Sequence, residues 1–176
     1  VYAFERFGEA GNSVFKEIAN GWSKLARNAQ SVIDFSEKTW TPKEYNAWKE
    51  EVHEVRLHDG KTIKMNTPQI MSLYLLNQRE QARKHIYGGG VVFIDGGKGK
   101  NGVTTNMTID DVVKITSKLS KRQIEVANAI QNQMSTKGSD WGNEISMTRF
   151  GYKFFTEPHY FPISVDENSQ NILQSN

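Results

Sequence analysis

Four places in this chain announce the start of a helix in the same way, with a hydroxyl side chain followed by a residue placed to answer it. Thr41-Pro-Lys-Glu44 has the hydroxyl, a proline at the next position and a glutamate three residues on. Thr67-Pro68 has the hydroxyl and the proline, while Thr108-Ile-Asp-Asp111 and Ser120-Lys-Arg-Gln123 have the hydroxyl and the distal partner. In such a pair the hydroxyl oxygen accepts from a first-turn amide, and the distal side chain accepts from the amide of the capping residue itself. Proline in the first turn forfeits no hydrogen bond. The spacing predicts helices near 42–50, 68–87, 109–118 and 121–149. Asp110 and Asp111 also suit the positive end of the third. The fourth has a weak point at Lys137-Gly138-Ser139, where Ser139 or Asp140 offers a fresh cap, and beyond it Trp141 and Ile145 mark the expected buried side.

Ahead of these lies a fifth helical pattern. Phe4, Phe7, Gly11, Val14, Ile18, Trp22, Leu25, Ala29 and Val32 alternate steps of three and four, which is one face of a long helix. At about 1.5 Å per residue it is roughly 50 Å long and calls for a partner along its length, with a bend expected near Gly21. Val52 to Leu57 and Thr62 to Met65 alternate around Asp59-Gly60, a hairpin signal. Val91 to Ile94 and Val103 to Thr105 flank a Gly/Lys turn and form a second one. The two hairpins are expected to share one small sheet. The helix from Pro68 is apolar all round through Ile70, Met71, Leu73, Leu75 and Leu76, so it is the expected central helix.

The fold class is therefore α+β, mainly α: a long N-terminal helix, a buried central helix and a long C-terminal helix, with one or two small β-hairpins. One domain is expected over residues 1–165, followed by a polar tail or linker at 166–176. The chain opens at Val1 straight into a helical pattern and ends in a polar run, and it reads as a segment of a larger protein.

Composition narrows the function classes. With no cysteine there is neither a disulfide framework nor a thiolate metal site, and an intracellular or virion setting is permitted. A net charge of +2 is too small to announce nucleic-acid binding, which would need a local patch. No apolar run reaches the roughly 20 residues of a membrane-spanning helix.

No motif in the chain completes a known chemistry. The glycines between Gly88 and Gly102, with Lys98 and Lys100, lack the spacing of a phosphate-binding loop and no helix follows them. His53-Glu54 and His58 are one residue too far apart for the helical zinc motif, so neither a metal site nor any other cofactor is expected. Asp140 and Glu144 share a helix face near Arg149, and Glu144 with His85 is the one weak acid/base candidate for catalysis. The basic turn Arg79, Arg83 and Lys84, with Lys98 and Lys100, is the candidate nucleic-acid contact; helix-dipole complementarity is by itself a sufficient account of the cations near Gly88 and the favoured one. The aromatic run Phe150, Tyr152, Phe154, Phe155, Tyr160 and Phe161, broken by Pro158 and Pro162, reads as an extended strap. Phe154, Phe155, Tyr160 and Phe161 are its candidate interaction residues.

Two stretches carry a family likeness. Leu73-Tyr-Leu-Leu76 followed by Gln81-Ala-Arg-Lys-His-Ile-Tyr-Gly-Gly-Gly90, then Trp141-Gly-Asn-Glu-Ile-Ser146, Phe150-Gly-Tyr152 and Tyr160-Phe-Pro-Ile163, resemble in the same order a helical region of the very large polyvalent proteins of phages, prophages and conjugative elements. The resemblance, with a weaker match around Phe4 to Gly11, implies a non-enzymatic structural or protein-interaction module. It implies partners among the other modules of the same polypeptide or among phage proteins, with DNA contact as the alternative. It also implies a virion-associated or host-cytoplasmic setting. Its shared residues are of the packing kind and bring no catalytic group with them.

Overall fold

A computed structural model of the chain describes residues 8–88, 91–98, 102–157 and 159. It is mainly helical with two antiparallel hairpins, the α+β class expected. Two compact units divide it, Val1–Tyr45 and Asn46–Asn176. The proposed tail at 166–176 lies outside the described residues.

The first unit is dominated by α1 (Gly8–Thr39), which runs without a break through Gly11 and Gly21. The stripe residues Leu25 and Val32 are exposed on it; Phe4 and Phe7 lie outside the described residues. Near its end Ser36 and Thr39 turn their hydroxyls back onto the carbonyls of Ile33 and Phe35. There the edge of one ring meets the face of the other in the pair Phe35–Trp40, 5.9 Å apart. Thr41 and Glu44 then make the reciprocal cap that their spacing predicts: Glu44 N–H donates to Thr41 Oγ1 at 3.1 Å, and Thr41 N–H to Glu44 Oε2 at 2.8 Å. This starts α2 (Pro42–Glu50).

In the second unit β1 (Val52–Arg56) and β2 (Thr62–Asn66) pair in register, Val55 opposite Ile63 and His53 opposite Met65. Gly60, at φ +84°, turns the hairpin where Asp59-Gly60 predicts. One face of the ladder is apolar, and Val55, Ile63 and Met65 sink into the core with Leu57.

The second of the four starts differs from its reading by one residue. Asn66, not Thr67, caps α3 (Thr67–Leu76): its side chain accepts from Gln69 N–H and Gln69 answers on Asn66 N–H. Thr67 is fully buried and donates to Glu51 Oε2 at 2.6 Å, so its hydroxyl is committed elsewhere. Ile70, Met71, Leu73 and Leu75 make α3 the buried central helix and bring it against the two helices that follow the second hairpin.

The helix predicted to run on to residue 87 breaks at 77–79. The apolar first half is buried on most sides, whereas α4 (Glu80–Gly88) buries only Ala82 and Ile86, so the two halves must turn different faces to the core. Asn77 ends α3 and accepts at 2.6 Å from Tyr87 Oη near the far end of α4, which ties the corner.

β3 (Val91–Ile94) and β4 (Gly102–Thr105) form a second sheet of two strands rather than extending the first. The hairpins meet through side chains instead: Lys64 N–H donates to Asp95 Oδ1 at 2.9 Å and Gln69 Nε2 donates to Ile94 O at 2.7 Å. The 3₁₀ turn Asp95–Gly97 sits so close to Asn66 that a side chain at Gly97 would overlap it.

The last two starts fall where they were read. Thr108 with Asp111 caps α5 (Ile109–Thr116), and Ser120 with Gln123 caps α6 (Lys121–Gln133). At Lys137–Ser139 the backbone stays helical and takes no fresh side-chain cap. A π turn at Met134–Gly138 carries the backbone straight into α7 (Ser139–Phe150), and Gly151 closes it at φ +79°. The widened turn holds one extra residue and rotates the helix beyond it by about 100°. The buried positions of α7 are therefore Ser139 and Ser146, while Ile145 is exposed and Trp141 half-buried, the reverse of the expected side.

Candidate interaction surface

After Gly151 the chain folds back on α7 as a short strap, and two residues of the helix set its position. Asn143 grips the backbone of Phe155 at both ends: Phe155 N–H donates to Asn143 Oδ1 at 2.9 Å, and Asn143 Nδ2 donates to Phe155 O at 2.7 Å. Gly142 supplies the space. The Phe155 ring lies where a β-carbon on Gly142 would come within 2.5 Å of it, so only glycine admits the ring. Phe155 thus turns toward the helix and its neighbours are left outside.

Those neighbours form a cluster of three rings. Phe154 sits between Phe150 at 5.3 Å and Tyr152 at 4.6 Å, both edge to face, and Phe150 and Tyr152 are 6.4 Å apart. Phe150, Tyr152 and Phe154 are 58%, 56% and 50% exposed. Met147, one turn before Phe150, is exposed as well; Ile145 is exposed too, but about 160° round the helix from Met147. An apolar surface of this density is the kind that marks an interaction site. Tyr160 and Phe161, the other two strap candidates, lie outside the described residues.

The candidate cations are dispersed among separate duties. Arg79 is mostly buried, its side chain 13% exposed and 4.0 Å from Glu157. Lys98 is exposed but bonded to Glu50, whose carboxyl it holds below the usual range. Arg83 and Lys84 stand exposed on α4, and Lys100 lies outside the described residues. His85 is exposed on α4 and Glu144 on α7, and neither has the burial that acid/base chemistry normally draws on. Among the described residues no group of three His, Cys, Asp or Glu side chains is placed to hold a metal ion. Within the same residues no helix is long and apolar enough to cross a membrane.

One His–Asp pair was not anticipated. Asp111, 5% exposed, accepts from His58 Nδ1 at 2.6 Å, from His58 N–H at 2.9 Å and from Thr108 N–H at 3.0 Å. Burial pushes the Asp111 carboxyl up, but the bonds from Thr108 and His58 outweigh it and hold the group below its ordinary 3.8. With Nδ1 donating to the carboxylate, the ring is oriented as in a general-base pair. Among the described residues, however, no hydroxyl or other nucleophile is bonded to its second nitrogen. Its visible effect is to latch the first hairpin turn to the start of α5, a bond helped by Lys114 Nζ on Arg56 O at 2.8 Å.

The sequence drew attention to Phe154 and Phe155 but not to the residues that separate their roles. A glycine beside an asparagine inside a helix, Gly142-Asn143, was the available signal. It is intelligible only once the strap is seen to return. Comparison of the chain with protein-family models, curated proteins and solved structures finds no match in any of the three.

Proposed function

We propose that this chain is a non-enzymatic structural and protein-interaction module that docks through the aromatic cluster at the end of α7. The observation that carries the reading is that Phe150, Tyr152 and Phe154 gather into one exposed cluster while Phe155 and Asn143 fix the strap bearing them. Fixing the strap in advance removes part of the ordering cost of binding. The resemblance of Met71 to Gly90 and Trp141 to Ile163 to polyvalent proteins supports a place among the modules of a large phage or mobile-element polypeptide. On that reading its partners are neighbouring modules or phage proteins, in the virion or the host cytoplasm.

The rival is a nucleic-acid contact through Arg79, Arg83, Lys84, Lys98 and Lys100. The engagement of Arg79 near Glu157 and of Lys98 with Glu50 supports the protein reading over it. Titration with labelled single- and double-stranded DNA at about 50 and 200 mM salt separates the two, because phosphate contacts lose affinity steeply as salt rises. No binding at the lower salt is expected. Micromolar binding that collapses at the higher salt and disappears in the Arg83→Glu/Lys84→Glu variant would overturn the proposal.

A further inference from the structure

We propose that the partner segment seated on the aromatic cluster is acidic and apolar-anchored: a peptide stretch carrying carboxylates around one or two large apolar side chains. This rests on the docking reading and adds the chemistry of the occupant. Within the aromatic run itself the charge is one-sided, with Glu144 and Glu157 just outside it. Between Ile145 and Thr156 the chain carries Arg149 and Lys153 and no Asp or Glu. Both cations are exposed, and among the described residues neither has an ion-pair partner. Exposed cations without an ion-pair partner among the described residues also stand elsewhere in the unit, Arg83 and Lys84 among them, but Arg149 and Lys153 are the two set within the aromatic run itself. The apolar centre with its two exposed cations has the composition of a protein interface, aromatic, methionine and arginine together.

Cations beside aromatics also describe a site for single-stranded nucleic acid, but the ring geometry favours a peptide. Base stacking uses open ring faces. Here Phe154 packs edge to face with both Phe150 and Tyr152, and Phe150 and Tyr152 are tilted by 50°, so no two rings lie parallel to offer one continuous stacking surface. The exposed Met147, one turn before Phe150, extends the surface with a side chain that offers no stacking face but packs well against aliphatic or aromatic anchors. Charge at the rim then selects the partner and speeds its approach, while the rings hold it.

The test is selection from a random-sequence peptide library on the intact immobilised chain, with binders re-assayed on Phe150→Ser/Phe154→Ser and on Arg149→Glu/Lys153→Glu. The expected binders are enriched in Asp and Glu around Leu, Phe or Trp. They should lose at least about tenfold in affinity on either variant, and the charge-reversed variant should prefer the same peptides with Lys in place of the acids. Cross-linking of the binders to the wild-type chain locates them at Met147 to Phe154 without depending on the folding of the serine variant. Binders that map to the cluster but carry no acidic bias would overturn the inference and leave the docking reading standing. A selection that yields no peptide at the cluster would overturn both. Binding of oligothymidylate that requires Phe150 and Phe154 would replace the peptide with single-stranded nucleic acid.

Discussion

Replacing Asp111 with alanine should destabilise the second unit by about 2–4 kcal/mol. The carboxylate takes three donors, from Thr108 N–H, His58 N–H and His58 Nδ1. The imidazole is half exposed and can turn to water when its acceptor is lost, so it contributes little to the cost. The two backbone amides cannot turn. Each loses a charged acceptor, a contribution of about 1.5–3 kcal/mol for a well-covered group, reduced here toward about 1–2 because the site lies close to the surface. Asparagine retains one acceptor oxygen and should recover about half of the loss. His58→Ala, which keeps its own backbone amide on Asp111, should cost less than about 1 kcal/mol. Urea denaturation followed by circular dichroism measures all three. With a slope of about 2 kcal/mol/M the alanine midpoint should fall by about 1–2 M. A loss below about 0.5 kcal/mol for Asp111→Ala would refute the reasoning, since the hairpin turn and α5 would then hold together without the shared carboxylate.

Because the Asp111 carboxyl is held below its unfolded value, its stabilisation is complete above about pH 4 and is lost as the pH falls through the lower folded value; Asp111→Asn should flatten that acid limb in pH-dependent denaturation. Asn143→Ala removes both bonds to the strap, worth about 1 kcal/mol each, so opening of the strap should become about 30-fold more frequent and tryptic cleavage after Lys153 correspondingly faster. Unchanged cleavage would show that the ring of Phe155 alone holds it. Gly97→Ala forces a side chain into the left-handed region and against the cap Asn66, and a melt should register a loss of about 2–3 kcal/mol. Phe154→Ser should cost under about 1.5 kcal/mol, because its ring packs only within an exposed cluster; a larger loss would place Phe154 in the core and end its candidacy for docking.

What could be read from the chain was mostly what is decided within four residues. The caps at Thr41, Thr108 and Ser120, the turn at Gly60 and the buried face of α3 are local, and they appear where their spacing places them. The misread positions depend on partners distant in the chain. Thr67 lost its capping role because Glu51, sixteen residues earlier, takes its hydroxyl. The corner at Asn77 is tied by Tyr87, and the two separate sheets are joined by Asp95 reaching Lys64. At the candidate surface the aromatic run itself was legible, but the difference between Phe154 outside and Phe155 inside was not. It is set by Gly142 and Asn143, across a turn that the apolar pattern alone does not describe.

The π turn at Met134–Gly138 makes α7 sensitive to chain length rather than to chain chemistry. Had the ladder continued straight from Gln131, Trp141 and Ile145 would lie in azimuth between the buried Val126 and Ala127, at about 100° per residue. With the inserted residue, Ser139 and Ser146 take that direction, which carries Gly142 and Asn143 round to receive the strap. Deleting a single residue within 134–138 would therefore turn α7 by about 100° about its own axis. It would draw a tryptophan and an isoleucine inward and leave Phe155 without its seat, although no side chain in α7 or the strap had been altered. Substitutions in this stretch should be tolerated far more readily than gains or losses of one residue.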